Sequence, residues 1–225
     1  MLLFEAMSIL ETRDTAVWFD HANNRFEGDA TIPETGLYSG RPFEEILVES
    51  GLLPDACAQL CDVFHTDDDN PELGIESSLQ HITIGDNKGG SHLPSVIIEL
   101  VPDHKFSSSL IAIKSDPATK VIKKQRMRPD GTFRLIGSGA DVAYQRSGRQ
   151  GWRKKRNLQN GFFPIEWTAT DLILAVHDNL QEEPIYNDRA KNLQRVSSYM
   201  GVFFRTICDV NTDKVISAYP TKSTI

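Results

Sequence analysis

A chain of 225 residues, 40% hydrophobic and 24% charged, can bury a sizeable core without disulfides or structural metal. No apolar run approaches the roughly 18 to 20 residues needed to span a bilayer, and the Met1-Leu2-Leu3-Phe4-Glu5 start has neither a basic n-region nor a long apolar h-region. The expectation is a protein with no membrane partner and no Sec export, acting in the cytoplasm or leaving it by a non-Sec route. The net charge of −7 argues against a nucleic-acid partner only if it is spread evenly, and it is not. Residues 1–75 hold 16 acids against Arg13, Arg25 and Arg41, a balance of −13, whereas residues 76–225 hold 15 acids and 21 bases, a balance of +6. A positive segment gathers a polyanion and gains from counterion release, so nucleic-acid chemistry belongs after residue 75.

The acidic part begins with a Gly/Pro-broken stretch from Thr31 to Pro42. Phe43, Ile46 and Leu47, then Leu60, Val63 and Phe64, have helical spacing. Short helices joined by loops are expected. Cys57 and Cys61, four apart, read as small apolar residues on one helix face; with Cys208 they make an odd total, which suits a reducing compartment. Asp67-Asp68-Asp69-Asn70-Pro71 is an acidic breaker and marks the expected boundary between a region 1–75 and a domain 76–225.

Beyond it, the β-branched runs Val96–Val101 and Leu110–Lys114 read as strands, and Lys120–Ile136 as a hairpin turning at Pro129-Asp130-Gly131. Thr168 heads a helix to Leu180, with Asp171 at the third following position. Met200–Thr206 and Val215–Tyr219 form a terminal hairpin around a turn at Asp209–Asp213. The fold class expected is α+β: a small, mostly helical N-terminal region, then antiparallel sheets with a few packed helices.

The residues suited to chemistry lie between Leu79 and Ser95, where His81 and His92 flank Gly85, Gly89 and Gly90. Glycines let the backbone fold back and bring both imidazoles to one pocket. With an ordinary pKa of about 6.5, one ring can accept a proton while another donates. RNA cleavage through the 2′-hydroxyl needs such a pair, with a cation at the phosphorus centre. On spacing alone the two histidines are also compatible with unrelated surface residues or, as a weaker reading because no second Cys/His cluster stands at ligand spacing, with a metal-dependent hydrolase using Asp86 as well.

Three ordered blocks point further. His81-Ile82-Thr83-Ile84-Gly85-Asp86 with Gly89-Gly90-Ser91-His92, then Phe162-Phe163-Pro164-Ile165-Glu166-Trp167-Thr168, then Ser217-Ala218-Tyr219-Pro220, together resemble the EndoU endoribonucleases over most of residues 78–220. The resemblance implies cleavage of single-stranded RNA 3′ of uridines, giving 2′,3′-cyclic phosphate ends. His92 would be the general base and His81 the general acid. Tyr219 would pack on ribose or uracil, and Ser217, Thr168 and Gly90 would line the substrate site. The family's catalytic lysine precedes the helix-opening block; Asn157–Gly161 has none, and Lys155, or else Lys154, is the nearest candidate. No cofactor is required on this reading, and Mn2+ stimulation is compatible with it. The partners implied are RNA and, for a bacterial toxin of this kind, an acidic immunity protein. A catalytically inactive RNA-binding module, using the basic patches at Lys120–Arg128 and Arg153–Arg156, is the reading of a different class.

Overall fold

In a computed structural model of the chain the described residues are 18–20, 25–27, 41–85, 90–101, 106–115, 126–136, 140–146, 149–154 and 159–222. Strands β1 (Trp18–Asp20) and β2 (Arg25–Glu27) pair antiparallel. Helix α1 (Phe43–Glu49) buries Phe43, Ile46 and Leu47, at the helical spacing read from sequence. A 3-10 helix at Asp55–Val63 carries both cysteines of that region. Cys61 is buried, and burial pushes its thiol up to about 12, consistent with an inert packing residue. The breaker is an ordered turn: Asp69 accepts from the Thr66 N–H at 2.8 Å, and Asn70 caps a 3-10 turn at Pro71–Leu73.

Helices α2 (Ser78–Thr83), α3 (Pro94–Leu100) and α4 (Ser107–Ser115) follow. The last two correct the strands expected at Val96–Val101 and Leu110–Lys114. Pro94 opens α3 at a first-turn position that needs no N–H donor, and α4 buries Ser107, Leu110 and Ile113 every third residue. Burial against the core outweighs the β preference of branched residues here. The turn at Pro129-Asp130-Gly131 forms as expected: the Gly131 N–H reaches the Arg128 carbonyl at 3.0 Å, and Asp130 Oδ1 accepts from Thr132 N–H and Oγ1. It joins β3 (Arg126–Met127) to β4 (Phe133–Ile136). Next come β5 (Ala140–Arg146), its antiparallel partner β6 (Arg149–Lys154), and β7 (Gln159–Phe162), which pairs with β4.

Helix α5 (Ala169–Asn179) begins in a full capping box between Thr168 and Asp171. Strands β8 (Ile185–Asn187), β9 (Asn192–Tyr199), β10 (Val202–Cys208) and β11 (Val215–Pro220) complete an antiparallel sheet in the order β11-β10-β9-β8. The fold is α+β, and the terminal hairpin is where the sequence put it. Met200 and Gly201, both at positive φ, make the two-residue turn between β9 and β10.

One hydrophobic cluster joins Phe43, Leu47 and Phe64 to Leu79, Phe163, Leu172 and Phe204. The core therefore runs across residue 75, where the charge changes sign. Polar ties cross there as well. His177 of α5 donates from Nε2 to the Leu60 carbonyl at 2.7 Å, and the Asn70 amide donates to Asp209 at 3.0 Å. Burial would raise the Asp209 carboxyl, but the Asn211 and Thr212 N–H groups, Asn70 and the nearby His65 outweigh it and hold it below the usual range.

Two outcomes follow from this packing. Leu47→Ala, at a fully buried position, should cost about 2–5 kcal/mol, read by denaturant titration, and shift the near- and far-UV dichroism transitions together. Because the folded Asp209 pKa is depressed, its stabilisation is present above the ordinary value of about 4 and lost as pH falls through the folded value. Asp209→Asn should flatten the acid side of melting temperature plotted against pH.

Candidate active site

The site is built on the C-terminal end of α2. Ser77 caps the start of this helix by accepting from the Gln80 N–H. At the other end the Gln80 carbonyl is taken by the Ile84 and Gly85 N–H groups, as in any helix terminus, but the next four carbonyls have no partner within the helix. The returning chain supplies all four. Ser91, His92 and Leu93 donate their N–H groups to the carbonyls of His81, Ile82 and Thr83 at 3.0, 2.8 and 3.2 Å. Ser91 Oγ closes the series on the Ile84 carbonyl at 2.7 Å.

That return has a steric condition. Gly90 has φ +81°, and a Cβ there would fall 1.7 Å from the His81 carbonyl oxygen. Only glycine can occupy this position. Ser91 follows at φ +68°, a left-handed conformation unusual for a side-chain-bearing residue. Its hydroxyl is bonded to Ile84, and its carbonyl accepts from the buried Asn160 amide.

His92 is held from a second side by β7 and the residue after Phe162. The Phe163 N–H donates to the His92 carbonyl at 2.9 Å, and His92 Nδ1 lies 2.7 Å from the Gly161 carbonyl oxygen. A carbonyl only accepts, so Nδ1 carries the proton. In the neutral ring Nε2 is then the basic nitrogen. The Tyr219 ring lies 6.1 Å from the imidazole, centroid to centroid, tilted by 45°. Its strand is brought there by Pro220, whose Cγ is 3.9 Å from where a Gly161 Cβ would be. The other end of β11 is tied to α2, since Ser78 Oγ donates to the Val215 carbonyl.

The structure thus brings together His81, Gly90, His92 and Tyr219. His81 lies in the last turn of α2 and is buried. Ser217 is half-buried and two residues before Tyr219, on the same face of β11 by alternation. Thr168 is committed to the α5 cap: its hydroxyl donates to Asp171 at 2.7 Å and accepts from the Asp171 N–H at 3.2 Å. Lys154 ends β6 opposite Ala140. Lys155 and Arg156, like Asp86, His104, Lys120, Lys123 and Lys124, lie outside the described residues. Among the described residues no group of three or more His, Cys, Asp or Glu is placed to hold a metal ion, and no helix is long and apolar enough to cross a membrane.

Three residues of the site escape a reading of the sequence: Ser91, Asn160 and Gly161. Ser91 and Asn160 act by donating side-chain hydrogen bonds to main-chain carbonyls and Gly161 by offering one to His92, and only the chain of glycines before His92 hinted that the backbone is unusual there. Gly90→Ala should abolish activity and lower the melting temperature, whereas Gly51→Ala, at a positive-φ glycine with open space around it, should lower the melting temperature slightly and leave turnover unchanged.

A protein-family model described as bacterial EndoU nuclease matches residues 76–222. No curated protein and no solved structure gave a significant match.

Proposed function

Because the chain belongs to the bacterial EndoU nuclease family, we propose that it is an endoribonuclease that cuts single-stranded RNA 3′ of uridine by attack of the 2′-hydroxyl. The observation that carries this reading is the Nδ1 hydrogen bond from His92 to Gly161, which makes Nε2 the nitrogen able to take a proton from the ribose. In the reaction His92 Nε2 accepts the 2′-OH proton as the 2′-oxygen bonds to phosphorus. The P–O5′ bond breaks, and protonated His81 returns a proton to the departing 5′-oxygen. The products are a 2′,3′-cyclic phosphate and a 5′-hydroxyl. Tyr219, beside His92, offers its ring to ribose or base, as aromatic side chains do in single-strand recognition. Ser217, on the same face, supplies a hydroxyl for the base.

The scheme uses proton transfer between side chains and draws no step through a metal, so it is expected to run with a chelator present and to tolerate Mn2+ as a stimulant. Confinement of the positive balance to residues 76–225 supports RNA as the partner of this part of the chain. It also fits a toxin acting on cytoplasmic RNA and neutralised by an acidic immunity protein that covers the same groove.

A short RNA with one uridine, incubated with the protein and EDTA and analysed by mass, should yield a cyclic phosphate after that uridine. His81→Ala and His92→Ala should each slow cleavage by about 10²–10⁴. Uncut RNA with the wild type, or cleavage undiminished by both substitutions, would sink the proposal.

A further inference from the structure

We propose that Arg205 binds the phosphate on the 5′ side of the cleaved uridine, so that the RNA is gripped one nucleotide beyond the bond that breaks. The inference rests on the ribonuclease reading above and extends it from the reacting atoms to the way the strand is held.

Alternation sorts the residues of the four-stranded sheet into two faces. Phe204, Thr206, Ala218 and Pro220 are buried on one, whereas Arg205, Ile207, Ser217 and Tyr219 are half-buried on the other. The register sets Arg205 directly opposite Tyr219 and Ile207 opposite Ser217, and side chains opposed in this way are neighbours on one face. Arg205 therefore stands beside the ring read as the seat of the uridine. It stands on the side away from His92, because β11 has β10 as its sheet neighbour and meets Gly161, the partner of His92, through Pro220. A uridine whose 3′-phosphate is at His92 and whose ribose or base packs on Tyr219 sends its 5′-phosphate onward over β10, one strand spacing of about 4.8 Å further.

Charge supports the same assignment. Arg205 Nη1 donates to Gln194 Oε1 at 3.0 Å, and Gln194 Nε2 donates in turn to Asn192 Oδ1 at 3.0 Å. The guanidinium is thus held by an amide that is itself fixed. Among the described residues this is the only hydrogen bond of Arg205, Nε is enclosed without a partner, and no carboxylate pairs with it. Arg195, on the opposite face of β9, is a structural arginine by contrast. It is buried, sends Nη1 and Nη2 to the two Asp213 oxygens at 2.8 Å, and donates Nε to the Glu182 carbonyl. A half-buried cation with no counter-charge destabilises the fold, and an anion on its face removes that penalty. Phosphate fits, since its oxygens accept charge-assisted hydrogen bonds from a guanidinium. Nη2 is the donor left for it. A contact of this kind positions the strand and reads no base.

The test uses the hexanucleotide UAAAAA with a 5′-hydroxyl and with a 5′-phosphate, and compares the ratio of kcat/KM for the two in wild type, Arg205→Gln and Arg205→Lys. Wild type is expected to favour the phosphorylated RNA by about tenfold or more, with the gain in KM. The ratio should fall to about one in Arg205→Gln and be partly kept in Arg205→Lys. A merely structural defect lowers both substrates alike and leaves the ratio as it was. A wild-type ratio near one, a ratio unchanged in Arg205→Gln, or cleavage of the internal-uridine RNA with neither hexanucleotide cut would overturn the assignment and leave the ribonuclease reading intact. A wild type that cuts none of these RNAs would overturn that reading and this inference with it.

Discussion

A helix of six residues has almost no interior, and what becomes of its unpaired carbonyls decides whether it persists. In α2 the carbonyls of residues 81 to 84 are met by three consecutive N–H groups and one hydroxyl from residues 91–93. The same contacts set the distance and direction between the two histidines, since His81 lies in the helix being capped and His92 in the segment doing the capping. Stability of the short helix and registry of the histidine pair are thus one interaction. Gly90 is the steric condition on it, because any side chain would occupy the space of the His81 carbonyl.

Around this unit the rest of the fold acts as a frame. The edge of β7 and Phe163 fix His92 through its carbonyl and Nδ1, and Asn160 fixes the preceding carbonyl. Strand β11 brings Tyr219 alongside. Behind α2, His65 bonds through its backbone to both Val215 and Ser78, so residues of the acidic stretch hold the helix and the closing strand together. The His65 ring is fully buried with no hydrogen-bond partner for either nitrogen, and the nearest carboxylate oxygen, of Asp69, is 3.9 Å away. Buried polar groups left this way cost stability, which burial of the hydrophobic cluster that includes Phe43, Leu47 and Phe64 offsets.

Much of this was legible before any coordinates. The capping box at Thr168 and Asp171, the turn at Pro129–Gly131 and the final hairpin all depend on local rules that few neighbours can override, and all three formed. Val96–Val101 and Leu110–Lys114 went the other way. A short apolar run has too little periodicity to separate strand from buried helix, and contact with the core settled it. The histidines could be singled out because side-chain chemistry names its residue types, and Gly90 and Tyr219 through the family resemblance; the fold places Gly90 against His81 and Tyr219 beside His92. Asn160, Gly161 and Ser91 were not singled out, because their work is to bond or to offer main-chain carbonyls, a task that many residue types can do. Thr168 shows the converse: one hydroxyl satisfied two descriptions, and the structure spends it on the helix start.

The placement of the cap bears on how such a site can diverge. Both histidines are anchored on their own sides of residues 86–89, His81 by the helix and His92 from Gly90 onward. What holds the pair in register is the contact between the end of α2 and residues 90–93, so a substitution in either segment that shifts one histidine shifts it relative to the other.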